Sequence, residues 1–161
     1  MKRHNSLAIL SRDHQKGLML AQLLKKNAPA YKGLPGDVIG KVKYALDTFR
    51  SDLTKHFEDE EKILFPAAAG KSNQCDKKII SELIDEHKFF NEKIPSLINS
   101  SNLIDEMDLI GHKLEEHIRK EERILFNLIQ DILADEELEN LKSNIEDSRK
   151  IFSKYCKTNS T

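Results

Sequence analysis

Apolar residues recur about every 3.5 positions in four stretches of the chain, and this spacing predicts four amphipathic helices. The first seam holds Leu7, Leu10, Leu18, Ala21 and Leu24, with His14 in line among them. Residues 27–37 carry Pro29, Gly33, Pro35 and Gly36 and read as a loop, after which Asp37 can cap a second helix. That helix has the seam Val38, Val42, Ala45, Phe49, Leu53, His56, Glu60, Ile63 and Leu64, and Pro66 should end or kink it near Phe65. Residues 70–74 form a turn. The third seam is Ile80, Leu83, His87, Phe90 and Ile94, closing at Pro95. The fourth is Leu103, Met107, Ile110, Leu114, His117, Glu121, Ile124, Leu128 and Ile132. A weaker fifth helix is predicted from about Glu136 to Phe152 on Leu138, Leu141, Ile145 and Phe152, with residues 157–161 frayed.

Four long helices with short connections predict an all-α fold, an antiparallel up-down-up-down four-helix bundle with an additional C-terminal helix. The chain, 1–161, reads as a single domain, its bundle core at about 6–133 and its C-terminal helix at about 135–155. Six polar residues interrupt the inward seams: His14, His56, Glu60, His87, His117 and Glu121. His56, Glu60, Glu61, Ile63, Leu64 and Phe65 recur in the same spacing as His117, Glu121, Glu122, Ile124, Leu125 and Phe126. A His and a Glu four residues apart lie one turn apart on one helix face.

An ionised carboxylate in a core is costly unless it is paired or bound to metal. A buried His–Glu ion-pair network is one reading of two such glutamates, but no Arg or Lys stands at neighbouring seam positions to share the charge. Zinc prefers four ligands, often with sulfur, and calcium and magnesium prefer all-oxygen shells. Four imidazoles with two potentially bridging carboxylates suit a pair of iron ions, and manganese fits the same donors. Without metal, the two carboxylates are expected to face each other as like charges and raise each other's pKa.

Other polar residues carry weaker expectations. Glu61 and Glu122 follow their histidines by five residues, about 140° off the histidine direction, and read as solvated. Glu58 and Asp59 read as surface charges, His112 as exposed, and His4 as unrelated to the site. Asp13, Asp85 and Glu86 fit either groups supporting the ligands or plain surface acids. Phe49, Phe57, Phe65, Phe90 and Phe126 read as core, some of them around the site.

Di-iron bundles of the ferritin type place an acid three residues before each histidine. Here those positions are Ser11, Leu53, Ile84 and Leu114. The reverse order, His-x-x-x-Glu on helices two and four with one histidine each on helices one and three, resembles the hemerythrin-like, or HHE cation-binding, family. The resemblance covers roughly Leu7 to Ile132 and includes Asp13 with His14, Leu64-Phe65-Pro66, Glu86 with His87, and Leu125-Phe126. It implies a non-haem di-iron centre, with His14 and His56 on one iron, His87 and His117 on the other, and Glu60 and Glu121 bridging beside an oxo or hydroxo group. The oxygen-carrying members place a histidine four residues after the third-helix histidine and an aspartate five after the last. Here Asn91 and Glu121 depart from both, which brings the chain nearer to bacterial hemerythrin-like proteins. The iron–sulfur-cluster repair group among these usually adds an N-terminal cysteine module, for which the residues before His14 leave no room. The implied function is binding or sensing of O2, NO or a related small oxidant. Alternatives are a repair or peroxidase-like di-iron enzyme, or an iron store or donor. At Asn91 an amide could meet a bound ligand, or simply border the seam.

Composition narrows the partners. Lys and Arg total 26 against 27 Asp and Glu, with no basic patch, so nucleic acid is not an expected partner. No run of 18 apolar residues would span a membrane. The early apolar run breaks at Ser11, Arg12 and Asp13, too soon for a signal peptide, and Cys75 and Cys156 lack metal spacing, so a cytoplasmic location is expected. A sensor output would need a protein partner, as yet unknown, with the fifth helix as a candidate contact.

Overall fold

Helix starts fall where local hydrogen bonding favours them. In the computed structural model, which describes residues 3–158 apart from the side chains of Cys75 and 155–158, the His4 imidazole accepts the Ser6 backbone N–H at the head of a 3-10 turn, Asn5–Leu7. His4 is therefore a cap for this turn. Helix α1 (Ala8–Leu24) follows. Helix α2 (38–69) begins at Asp37, whose carboxylate accepts the Gly40 backbone N–H at 2.7 Å, the expected N-cap. Helix α3 (Gln74–Ser96) runs one residue past Pro95 into a 3-10 turn, Leu97–Asn99. Helix α4 (103–132) and helix α5 (Asp135–Thr158) complete the chain. No strand occurs among the described residues. Residues 157 and 158, expected to be frayed, continue α5, while 159–161 and the thiols of Cys75 and Cys156 lie outside what is described.

Helices α2 and α4 are not uniform. Helix α2 contains π turns at Phe49–Leu53 and Glu60–Leu64, and α4 contains one at Glu121–Leu125. The Phe65 N–H bonds back to the Glu60 carbonyl and the Phe126 N–H to the Glu121 carbonyl, five residues rather than four. These two wide turns, at Glu60 and Glu121, each move the inward seam along by a residue. Ile124, expected inside, is 47% exposed, while Leu125, Phe126 and Ile129 are buried. Pro66 neither ends nor breaks α2, which continues to Ala69. It sits in the first α-turn after the π turn, where the missing N–H costs least.

The helices form a bundle around two apolar clusters. One gathers Leu20, Leu24, Phe49, Phe57, Phe90, Ile94, Leu114 and Ile118, and the other Leu10, Leu64, Phe65, Leu83, Leu125, Phe126 and Ile129. Helix α5 covers the second with Leu138, Leu141 and Ile145. Along each of the first four helices, the inward histidine lies between a residue of one cluster and a residue of the other. Glycine makes the α1–α4 crossing close: a Cβ at Gly111 would lie 2.7 Å from the Ala21 carbonyl oxygen. No helix of the described residues is long and apolar enough to cross a membrane.

Candidate metal centre

The helical periods bring all six seam donors into one layer. His14 from α1, His56 and Glu60 from α2, His87 from α3, and His117 and Glu121 from α4 are buried, none more than 2% exposed. They form two overlapping sets, His14, His56, Glu60 and Glu121, and Glu60, His87, His117 and Glu121, each with its donor atoms within 4.8 Å of one another.

Each glutamate turns one oxygen to each histidine pair. Glu60 Oε1 lies 3.2 Å from His56 Nε2 and 3.8 Å from His14 Nε2, and its Oε2 lies 3.3 Å from His87 Nε2. Glu121 Oε2 lies 3.1 Å from His14 Nε2, and its Oε1 lies 3.3 Å from His117 Nε2 and 3.8 Å from His87 Nε2. The Nε2 atoms of His87 and His117 face each other at 3.2 Å. The Nε2 atoms of His14 and His56, and all four carboxylate oxygens, have no hydrogen-bond partner in the protein. Buried groups are otherwise almost always satisfied, so this convergence of unsatisfied N and O atoms is what a cation would fill.

The outer ring nitrogens tell the complementary story. Every Nδ1 meets a carboxylate from another helix. Glu122 takes His14 at 2.7 Å, Asp13 takes His56 at 3.3 Å, Glu61 takes His87 at 2.9 Å and Glu86 takes His117 at 2.7 Å. A proton held at Nδ1 leaves the Nε2 lone pair pointing inward, the arrangement common to metal-bound histidines. Asp13 and Glu86 thus support the donors rather than decorate the surface, whereas Asp85 is exposed and pairs with Lys88 at 2.8 Å.

Three sequence expectations are corrected. Glu61 and Glu122 are not merely solvated, because the π turns that begin at Glu60 and Glu121 swing the next residue back toward a neighbouring helix. The signal was available in the sequence, since both copies of the repeat double the glutamate. Asp59 is not a surface charge but is 1% exposed, bonded to Ser148 at 2.7 Å, to Lys55 at 2.8 Å and to Arg149. Its partners come largely from α5, which no local pattern reveals. Asn91 is exposed, so of its two readings the structure favours the bland one. His112 is exposed as expected, 3.6 Å from Asp108.

The charge state of the metal-free layer also differs from expectation. Burial opposes ionisation of Glu60, but His56, with His14 and His87, outweighs it and holds the carboxyl well below its ordinary value. The like-charge repulsion expected to raise it is overcome by the imidazoles around it. Burial likewise opposes protonation of His14, yet the carboxylates of Glu121, Glu122 and Glu60 close around it raise its pKa well above the usual value. His87 is raised by Glu60, Glu121 and Glu61 against the same burial. In the metal-free layer His14 and His87 therefore hold a proton more tightly than a free imidazole does. Burial works against ionisation of Glu122 too, but His14, Ser11 and Arg3 pull its pKa down to about 2.

Aromatic rings seal the layer. Phe57 and Phe65 stack on His87 with centroids 4.1 and 5.6 Å away, and Phe126 stacks on His14 at 5.3 Å. Phe90 meets His117 edge-on at 5.3 Å. Neither a curated protein nor a solved structure matches the chain significantly. The model of the hemerythrin HHE cation-binding domain matches residues 5–129, the span that holds all six inward donors. With that match covering most of its length, the chain belongs to the hemerythrin HHE cation-binding domain family.

Proposed function

We propose that the protein holds two iron ions and uses them to bind or sense O2, NO or a related small oxidant. His14 and His56 take one ion, His87 and His117 the other, and Glu60 and Glu121 span both; manganese fits the same donors. The observation that carries this reading is the split of each buried carboxylate, one oxygen toward each histidine pair. A single ion would need only half of that donor set.

The irons supply Lewis acidity and one-electron redox change. The chain's part is to aim and to insulate. The four carboxylates at Nδ1 fix each imidazole's tautomer and orientation. Phe57, Phe65, Phe90 and Phe126 exclude bulk water from the ring faces. The alternation of apolar clusters supports an up-down-up-down arrangement of α1 to α4. Leu10 precedes His14 and Leu83 precedes His87 from one cluster, whereas Phe49 precedes His56 and Leu114 precedes His117 from the other.

Anaerobically purified protein, analysed for metal and by visible spectroscopy with and without azide or NO, tests the proposal. Two irons per chain and a reversible spectral change on ligand addition are expected. One iron or none after reconstitution would refute the centre. Steady turnover of peroxide or NO would replace binding and sensing with an enzymatic role.

A further inference from the structure

The four carboxylates at the outer ring nitrogens are not held alike. Asp13, which meets His56, shares its Oδ2 atom with Arg149 of α5: the guanidinium Nη2 lies 2.7 Å from it and His56 Nδ1 lies 3.3 Å from it. The same guanidinium bonds through Nε to Asp59, the residue before the bridging Glu60. Asp59 also accepts the Ser148 hydroxyl at 2.7 Å, and the buried Lys55 ammonium lies 2.8 Å from it. Helix α5 therefore enters the metal layer at one corner, through one forked cation between two carboxylates. At the opposite pair, Glu61 meets His87 while 39% exposed, and Glu86 meets His117 with Lys120 of α4 beside it. Arg149 lies outside residues 5–129, so the contact reaches the matched span from beyond it.

We propose that Arg149 is a positioning residue for the His14–His56 half of the centre, holding Asp13 so that it orients His56, and that docking of α5 thereby sets how tightly one of the two metal ions is retained. The inference rests on the two-metal reading above. A planar guanidinium can grip two carboxylates at once, which an ammonium on a flexible stem cannot reproduce. Without it, Asp13 can rotate to water, and His56 loses the partner that fixes its ring. Loss of a partner of this kind typically weakens metal binding about 10–100-fold. The carboxylates of the His87–His117 half keep partners on the first four helices: Glu61 meets His87, and Glu86 meets His117 and Lys120.

The test uses the full-length iron-loaded protein and follows release of each iron to excess chelator, with Mössbauer spectra of the same samples. Arg149→Met should release one iron about tenfold faster or more and shift one quadrupole doublet, leaving the other iron's rate and doublet unchanged. Arg149→Lys should lie between that variant and the natural protein. Asp13→Asn should accelerate the same iron, and Glu86→Gln the other. The Arg149→Met, Asp13→Asn double variant should release no faster than the faster single variant, because both act through one carboxylate.

Equal acceleration of both irons in Arg149→Met would overturn the proposal, since a purely structural role for α5 has that outcome. Unchanged rates, or additive effects in the double variant, would overturn it as well. If Arg149→Met does not fold, the Arg149→Lys and Asp13→Asn pair decides by the same criteria. Failure of the underlying two-metal reading looks different: the natural protein would then bind fewer than two irons before any variant is made.

Discussion

Glu61 and Glu122 hold the same place in two copies of one motif, yet they live in different surroundings. Glu61 meets His87 at 2.9 Å and is 39% exposed. Glu122 meets His14 at 2.7 Å, takes the Ser11 hydroxyl at 2.7 Å, and is bonded through the same carboxylate to Arg3 at 2.7 Å. The Arg3 guanidinium also lies 4.9 Å from the centre of the Phe126 ring, which stacks on His14. The inner donors of the two copies are equivalent, whereas their outer supports are not. A repeat in sequence therefore builds a symmetric cage, and the segments packed around it make the two halves chemically distinct.

The largest effect should come from the shared inner donors. In the Glu60→Ala, Glu121→Ala double variant each removed carboxylate would have faced both halves, so metal analysis should show loading fall from two ions per chain to one or none. Full loading would mean that the two halves are independent sites.

Metal removal comes next. A free ion at a thousand times its Kd adds about 4 kcal/mol of stability. For a chain of this size about 2–4 °C of melting temperature accompanies each kcal/mol, so the loaded protein should melt roughly 10 °C above the metal-free form at pH 7. The pH dependence has a definite sign. His14 and His87 have raised values in the metal-free fold, so their stabilising contribution is complete below the unfolded value of about 6.5 and is lost as pH rises through the folded values. Metal binding requires the same nitrogens free of protons and strengthens as pH rises. Both effects widen the gap at neutral pH and narrow it in acid. Calorimetry of both forms from pH 5 to pH 8 checks this, and a gap that grows in acid would contradict it.

Substitution at the outer supports separates the two copies. Glu122→Gln should weaken metal binding about 10–100-fold, the usual cost of losing a carboxylate behind a ligating histidine. Glu61→Gln should cost about tenfold or less, because an exposed charge is screened by water. Competition with a coloured chelator measures both, and equal losses would erase the distinction between the copies. Glu122 has an acid signature too. Its folded-state value of about 2 makes its contribution complete above the ordinary carboxylate value of about 4.3 and lost as pH falls through about 2. Metal-free Glu122→Gln should therefore show a shallower loss of stability over that acid range than the natural protein.

The smallest effect is expected at position 91. Asn91 is exposed, so Asn91→His should leave azide affinity and air oxidation unchanged at equal iron content. A slower oxidation would show that a side chain there reaches the His87–His117 half after all.

Much of this protein was legible in its sequence because helical phase is a local property. His56 and Glu60 share a face by spacing alone, as do His117 and Glu121, and an acid on an apolar seam signals an unpaired charge whatever the rest of the chain does. The helices, the Asp37 cap and the six inward donors all follow from that. The outer shell was decided by tertiary structure, since each of its contacts joins different helices: Asp13 to His56, Glu61 to His87, Glu86 to His117 and Glu122 to His14. The π turns at Glu60 and Glu121 are local in form, but they altered the phase on which the exposure of Ile124 and the orientation of the following glutamates depended. Asp59 and Arg149 were beyond any local reading. A charge becomes buried or exposed according to what packs against it, and here the partner is a helix about 90 residues further along the chain.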